Sequence, residues 1–120
     1  MSQRQDRVAE ELRRELADII RGEMKDPRVG LATVSRVEPS RDFSHAVVWV
    51  SVLGDEDEAR EEAVEVLRRA RGFVRSLLGQ RMRLRVVPEL DFRLDRGFEH
   101  SQRISDLLEN LDVEDGPESS

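Results

Sequence analysis

The segment HAVVWVSVL, residues 45–53, constrains the fold of this chain more than any other stretch. Its residues are mostly β-branched or aromatic, they alternate between two faces, and Gly54 closes the run. Ala46, Val48, Val50 and Val52 take one face, and Val47, Trp49, Ser51 and Leu53 take the other. A second β-prone run, LATVSRV at 31–37, precedes it, with Pro39-Ser40-Arg41-Asp42 as a turn between the two. So short a connection predicts an antiparallel hairpin. Trp49, the only tryptophan, reads on this pattern as a packing residue rather than a platform for a nucleic-acid base.

Helical periods flank the hairpin. Over residues 4–24, Val8, Leu12, Leu16, Ile19 and Ile20 recur on one face, and Asp26-Pro27 stops the helix because the residue before proline is pushed out of the α region. The acidic run 55–58 suits the start of a second helix. In that helix Ala59, Ala63, Val66, Ala70, Phe73 and Leu77 form the stripe expected to face the sheet, which makes Phe73 a core residue. Gly72 interrupts the run where glycine costs a plain helix about 1 kcal/mol, so it points to a kink or to backbone exposed to a partner. After Gly79 the period falls to two. Met82, Leu84, Val86, Pro88, Leu90, Phe92 and Leu94 alternate with a polar face that begins Arg81, Arg83, Arg85, which predicts one long half-buried strand, an edge or bulged at Pro88.

Residues 98–111 suggest a last short helix with Ile104, Leu107, Leu108 and Leu111 inward, and residues 112–120 an acidic, disordered tail. The expected architecture is therefore α+β in two layers, over residues 1–111. Its order is α-β-β-α-kink-α-β with a short C-terminal helix, and helices cover one face of a small antiparallel or mixed sheet.

The inventory for catalysis is poor. The chain has no cysteine and a single lysine, Lys25, and its two histidines, His45 and His100, stand far apart. No glycine-rich loop leads into a lysine, and no nucleophile set or metal-ligand spacing is present. The paired carboxylates at Asp55/Asp57 and Glu61/Glu62/Glu65 sit on a solvated helix start. No enzyme activity, metal or cofactor is expected. No leader-like run opens the chain and no stretch approaches the ~20 apolar residues of a membrane span, so a cytosolic, monomeric protein is expected.

Charge is where the sequence is informative. The 120 residues carry a formal net charge of −6, yet residues 68–85, RRARGFVRSLLGQRMRLR, hold seven arginines and no acid. Guanidinium groups are forked and weakly hydrated, suited to bidentate phosphate contacts. By period they fall into a helix row, Arg68, Arg71 and Arg75, and a strand row, Arg81, Arg83 and Arg85, joined at Gly79. Gly72 lets backbone approach a phosphate. A basic block between acidic ones is the footprint of a protein that binds a polyanion. The alternative is a protein–protein adaptor whose open sheet face docks an acidic partner through the strand row.

The same residues carry a family likeness. ARGFVRSLLGQRMRLRVVPELDF, residues 70–92, strongly resembles the central block of the ribosome-binding factor A family, and the likeness extends through residues 26–54 and over about 4–111. The resemblance implies a K-homology fold of the second type, with a three-stranded sheet, in which the usual GxxG clamp is replaced by an AxG kink, here Ala70-Arg71-Gly72. It also implies a non-catalytic assembly factor. Such a factor binds the free small ribosomal subunit and supports late maturation of its rRNA, including its 5′ end, notably in the cold. A GTPase partner is associated with its release in some bacteria.

Overall fold

The computed structural model describes residues 3–54 and 56–97. Helix α1 spans Gln3–Glu23 and buries Leu12, Leu16, Ile19 and Ile20 against the sheet, with charges on its outer face. Asp26 then caps a short 3-10 turn, Pro27–Val29, by accepting the Arg28 backbone N–H at 2.9 Å. Strands β1 (Ala32–Pro39) and β2 (His45–Val52) form the expected antiparallel hairpin, registered Ala32 to Val52 and Pro39 to Ala46. Between Val34 and Arg36 the register shifts by one, so Ser35 is a bulge on the outer strand, a device that discourages edge pairing.

The connecting turn is held by one carboxylate. Asp42 accepts the Ser44 hydroxyl at 2.7 Å, the Ser44 N–H at 3.1 Å and the Ser40 hydroxyl at 2.9 Å, and these hold its pKa down at about 2. That clamp accompanies Phe43 at φ 61°, a left-handed conformation few non-glycine residues adopt.

Helices α2 (Asp57–Arg69) and α3 (Arg71–Arg81) follow, and β3 (Glu89–Leu94) pairs parallel with β2 to complete a three-stranded sheet in the order β1-β2-β3. The sheet is thus mixed, with α1, α2 and α3 on one face, the two-layer α+β arrangement expected. Val34, Val37, Ala46, Val48, Val50, Leu90 and Phe92 form the buried side of the sheet. The short helix expected over 98–111 and the tail after it lie outside the described residues. No helix among the described residues is long and apolar enough to cross a membrane.

Three expectations need correction. The strand after Gly79 begins only at Glu89, because the chain runs beside β2 only from there, with Glu89 opposite His45; residues 82–88 form a connection with Met82 and Pro88 buried and Val86 exposed. Phe73 is 51% exposed, and Ala59 is exposed as well. The buried stripe is Ala63, Val64, Val66 and Leu67, continued by Val74 and Leu78, turned about 60° from the alanine-weighted one at 100° per residue. Bulky aliphatic side chains set the face because they have the most area to bury. Trp49 does pack, but on the open face of the sheet. Its indole N–H donates to Glu38 at 2.8 Å, and the Arg36 and Arg93 guanidiniums lie 5.1 and 6.0 Å from the ring centroid.

This packing can be tested at the core and at the turn. Phe92 is fully buried at the centre of the core, and Phe92→Ala is expected to cost about 3–5 kcal/mol in urea unfolding. For Asp42 the folded pKa lies below its ordinary 3.8, so its contribution is complete above pH 3.8 and is lost as pH falls through about 2. The stability gap between the parent and Asp42→Ala should therefore narrow between pH 4 and pH 2; a gap constant over that window would refute the clamp.

Candidate nucleic-acid interface

The site begins with a break in a helix. Ala70 ends α2 and starts α3: its N–H reaches Val66 O and Leu67 O, both at 3.1 Å, and its carbonyl accepts Val74 N–H at 2.9 Å. Its backbone, at φ −92° and ψ 7°, has left the helical well. The break falls two residues before Gly72, which occupies the first turn of α3. No side chain caps that turn, it holds no acidic residue, and a Cβ at Gly72 would meet nothing within 4 Å. The first turn of α3 thus starts without a side-chain cap, with open space beside the Gly72 Cα.

Strand β3 forms the opposite wall. It is an edge strand; the N–H groups of Glu89 and of Asp95, just past its end, bond to Ser44 O and Val50 O of the hairpin at 2.9 and 2.7 Å. The alternation of a parallel ladder then turns the polar backbone groups of Leu90 and Phe92 outward. Between this edge and α3 lies a shallow cleft of about 350 Å³, lined by Arg69, Arg71, Gly72, Arg75, Glu89 and Leu90.

The predicted arginines divide into three groups. Arg71, Arg75 and Gly72 meet in the cleft with Arg69, whereas Arg68 is not among its lining residues and lies with the acidic residues of α2. Arg68 and Arg75 are also tethers. Arg68 Nε donates to Phe92 O at 3.0 Å, and Arg75 donates to Val87 O at 2.7 Å and Pro88 O at 3.2 Å. Among the described residues Arg71 donates to Arg68 O, at 2.9 Å, and is exposed. Arg81 turns away to α1, where Glu15 and Asp18 lie 3.5 and 3.9 Å from it. Arg83 and Arg85 are exposed on the connection before β3 and have no carboxylate partner among the described residues. The strand row therefore does not form among the described residues, since Arg81 ends α3 and residues 82–88 are not in the sheet, so Arg83 and Arg85 do not lie on the open sheet face where the adaptor reading put them.

Neutralisation within the cleft is partial. Glu65 lies 3.2 Å from Arg68 and 3.9 Å from Arg69, and Glu89 lies 3.8 Å from Arg75. Two carboxylates thus face Arg68, Arg69, Arg71 and Arg75. The acidic start of α2 is occupied elsewhere: Arg96 reaches Asp57 and Glu61 at 3.1 and 3.0 Å, and Arg28 reaches Glu62 at 3.1 Å. The Arg60 and Arg96 guanidiniums accordingly lower the Asp57 pKa.

Sequence reasoning missed Arg69 and Arg4. Arg69 belongs to the same arginine run, but a continuous helical wheel hid it, because the wheel does not extend past the break at Ala70. Arg4 stacks over Phe43 at 5.7 Å and shares an apolar groove with Arg85, Leu84 and Val86. Only the fold brings the start of α1 to the connection before β3.

Known proteins resemble this chain closely. The family model described as ribosome-binding factor A matches residues 4–108. A ribosome-binding factor A of Alkalilimnicola ehrlichii is 50% identical over 109 residues, 91% of this chain and 84% of the relative. The solution structure of a putative ribosome binding factor A of Thermotoga maritima, 39% identical, superimposes with a TM-score of 0.70 over 82% of this chain and 93% of that one. A Thermus thermophilus ribosome binding factor A, fitted as a homology model into the cryo-EM map of a 30S–RbfA complex, is 34% identical with a TM-score of 0.62, over 74% of this chain and 92% of that one. With its helix pair broken at Ala70-Arg71-Gly72 against the edge of a mixed three-stranded sheet, the chain belongs to the ribosome-binding factor A family.

Proposed function

We propose that this protein is a non-catalytic assembly factor that binds the free small ribosomal subunit and supports late maturation of its rRNA, including the 5′ end. The observation that carries the reading is the cleft between α3 and the β3 edge, where arginines outnumber carboxylates and the first turn of α3, with Gly72, has no side-chain cap. Family membership and the 30S complex of the Thermus relative support the choice of ribosomal RNA as the polyanion. The same reading includes a cytoplasmic monomer, a need greatest in the cold, and a ribosome-assembly GTPase as partner in release.

In mechanism, Arg69 and Arg71 neutralise backbone phosphates, Gly72 leaves room for one phosphate to reach the first turn of α3, and Arg83 and Arg85 extend the binding surface along the connection before β3. Such phosphate interactions position RNA without reading its sequence. Arg68 and Arg75 act differently, because their guanidiniums are already engaged with carbonyls of β3 and of the connection before it. They hold the two walls of the cleft at a fixed spacing and add charge from behind. Arg81, paired with α1, serves packing.

Substitutions separate these roles. Arg71→Ala, Arg83→Ala and Arg85→Ala combined should leave unfolding within about 0.5 kcal/mol of the parent. The same triple variant should weaken small-subunit binding and make log K fall less steeply with log salt, by roughly 0.7–0.9 in slope for each phosphate left unneutralised. Unchanged affinity and slope would remove the mechanism. Arg75→Ala should instead cost about 1–2 kcal/mol of stability, because two carbonyls are deprived of a charged donor. Gly72→Ala should be neutral or slightly stabilising in thermal unfolding yet reduce binding; full binding would show that no phosphate approaches there.

A further inference from the structure

Three elements distant in sequence close an apolar groove that shares no lining residue with the arginine cleft. Helix α1 supplies Val8 and Leu12, the hairpin turn supplies Phe43, and the connection before β3 supplies Leu84, Val86 and Pro88. Leu12 and Pro88 are buried and form its floor, whereas Val86 is 46% exposed at its mouth. The volume is about 220 Å³, below the roughly 300 Å³ at which sites for drug-sized ligands begin, so the groove suits a single flat ring. Its walls are fixed in advance. Arg75 bonds the Val87 and Pro88 carbonyls at 2.7 and 3.2 Å, and Asp42 clamps the turn through Ser40 and Ser44.

Core packing does not account for Phe43. It holds φ 61°, an outlier for a bulky side chain, yet its ring is only half-buried and stands outside the core cluster. Arg4 and Arg85 are exposed at the rim, and neither has a carboxylate partner among the described residues. Asp42 also lines the groove, but its carboxylate is already engaged with the turn. An apolar slot with one aromatic wall and two open guanidiniums fits a ligand with flat apolar faces and an anionic edge.

We propose that this groove is a second RNA subsite, taking one unpaired base against Phe43 while Arg4 and Arg85 hold the adjoining phosphates. The subsite rests on the RNA-binding reading of the cleft and adds to it a place for a base. Only an unstacked base offers its face to an aromatic ring or a guanidinium plane, so the partner is a single-stranded segment. The Arg4 guanidinium lies 5.7 Å from the Phe43 ring centroid. A base between them needs about 6.8 Å, twice the ~3.4 Å spacing of stacked bases, so Arg4 has to lift by about 1 Å. Standing one residue into α1 and exposed, it is free to do so. Pro88 lines the groove and Leu90 the cleft, about 7 Å of chain apart, so one strand of RNA reaches both.

Titrating the isotopically labelled full chain with a single-stranded RNA octamer, and with an abasic octamer carrying the same phosphates, separates base from backbone. The base-bearing strand should shift the Phe43 ring and Val86 methyl resonances and bind roughly 5- to 100-fold more tightly than the abasic one. Phe43→Asn, which suits positive φ, should leave thermal unfolding unchanged or raised while abolishing that preference, with the salt slope preserved. Val86→Asp, at an exposed position, should also remove the preference. Three results overturn the groove and leave the cleft reading standing: equal binding of the two octamers, binding of neither by a chain that still binds small subunits, or a preference indifferent to both substitutions. Failure to bind small subunits as well overturns both. An octaglutamate peptide with one central tryptophan that shifts the same resonances as strongly as RNA also overturns the subsite, because the groove then takes an acidic protein segment.

Discussion

The parallel pairing of β3 with β2 is the constraint from which the rest of the molecule follows. A parallel strand must begin at the same end of the sheet as its neighbour, so the chain between them has to travel the length of the sheet and return. Helices α2 and α3 and the connection 82–88 make that journey, and Phe92, buried at the centre of the core, fixes the strand they deliver. The helix break at Ala70 and the edge of β3 are brought face to face by the same requirement. The cleft is therefore a product of topology before it is a product of charge.

An open strand edge is a hazard as well as an opportunity. Unpaired backbone groups on an edge invite association, and natural sheets guard them with charge, bulges or proline. Here Arg68 and Arg75 reach from α2 and α3 to the carbonyls of Phe92, Val87 and Pro88, while Ser35 bulges the opposite edge on β1. Arginines used in this way keep their positive charge beside the cleft while their hydrogen bonds go to structure. A run of seven arginines is thereby divided between members tied into the fold and members left exposed.

The acidic blocks complement this arrangement. Asp57, Glu61 and Glu62 bind Arg96 and Arg28 from either side of α2, fastening the turn after α1 and the end of β3 to that helix. Exposed pairs of this kind are individually weak, but several converging on one helix restrict its orientation. Negative charge is thereby fixed at the start of α2 and positive charge at the α2–α3 break, which gives the helix pair a polar distribution of charge along its length.

Local pattern alone carried much of this. The first helix, the hairpin and its set of inward residues, the arginine block and the family likeness were all legible, because each depends on neighbours within a few residues. What period could not decide was anything set by partners distant in the chain. The alternation from Arg81 to Asp95 looks like one strand, yet only its stretch from Glu89 to Leu94 finds a β2 partner. The stripe containing Phe73 was misplaced because side-chain volume, not count, chooses the buried face. The order of residues was enough to gather arginines near a broken helix. Which of them are tied to carbonyls and carboxylates of other elements, and which stay exposed, was decided by folding, because a guanidinium is engaged only where a carbonyl or carboxylate from another element lies within its reach.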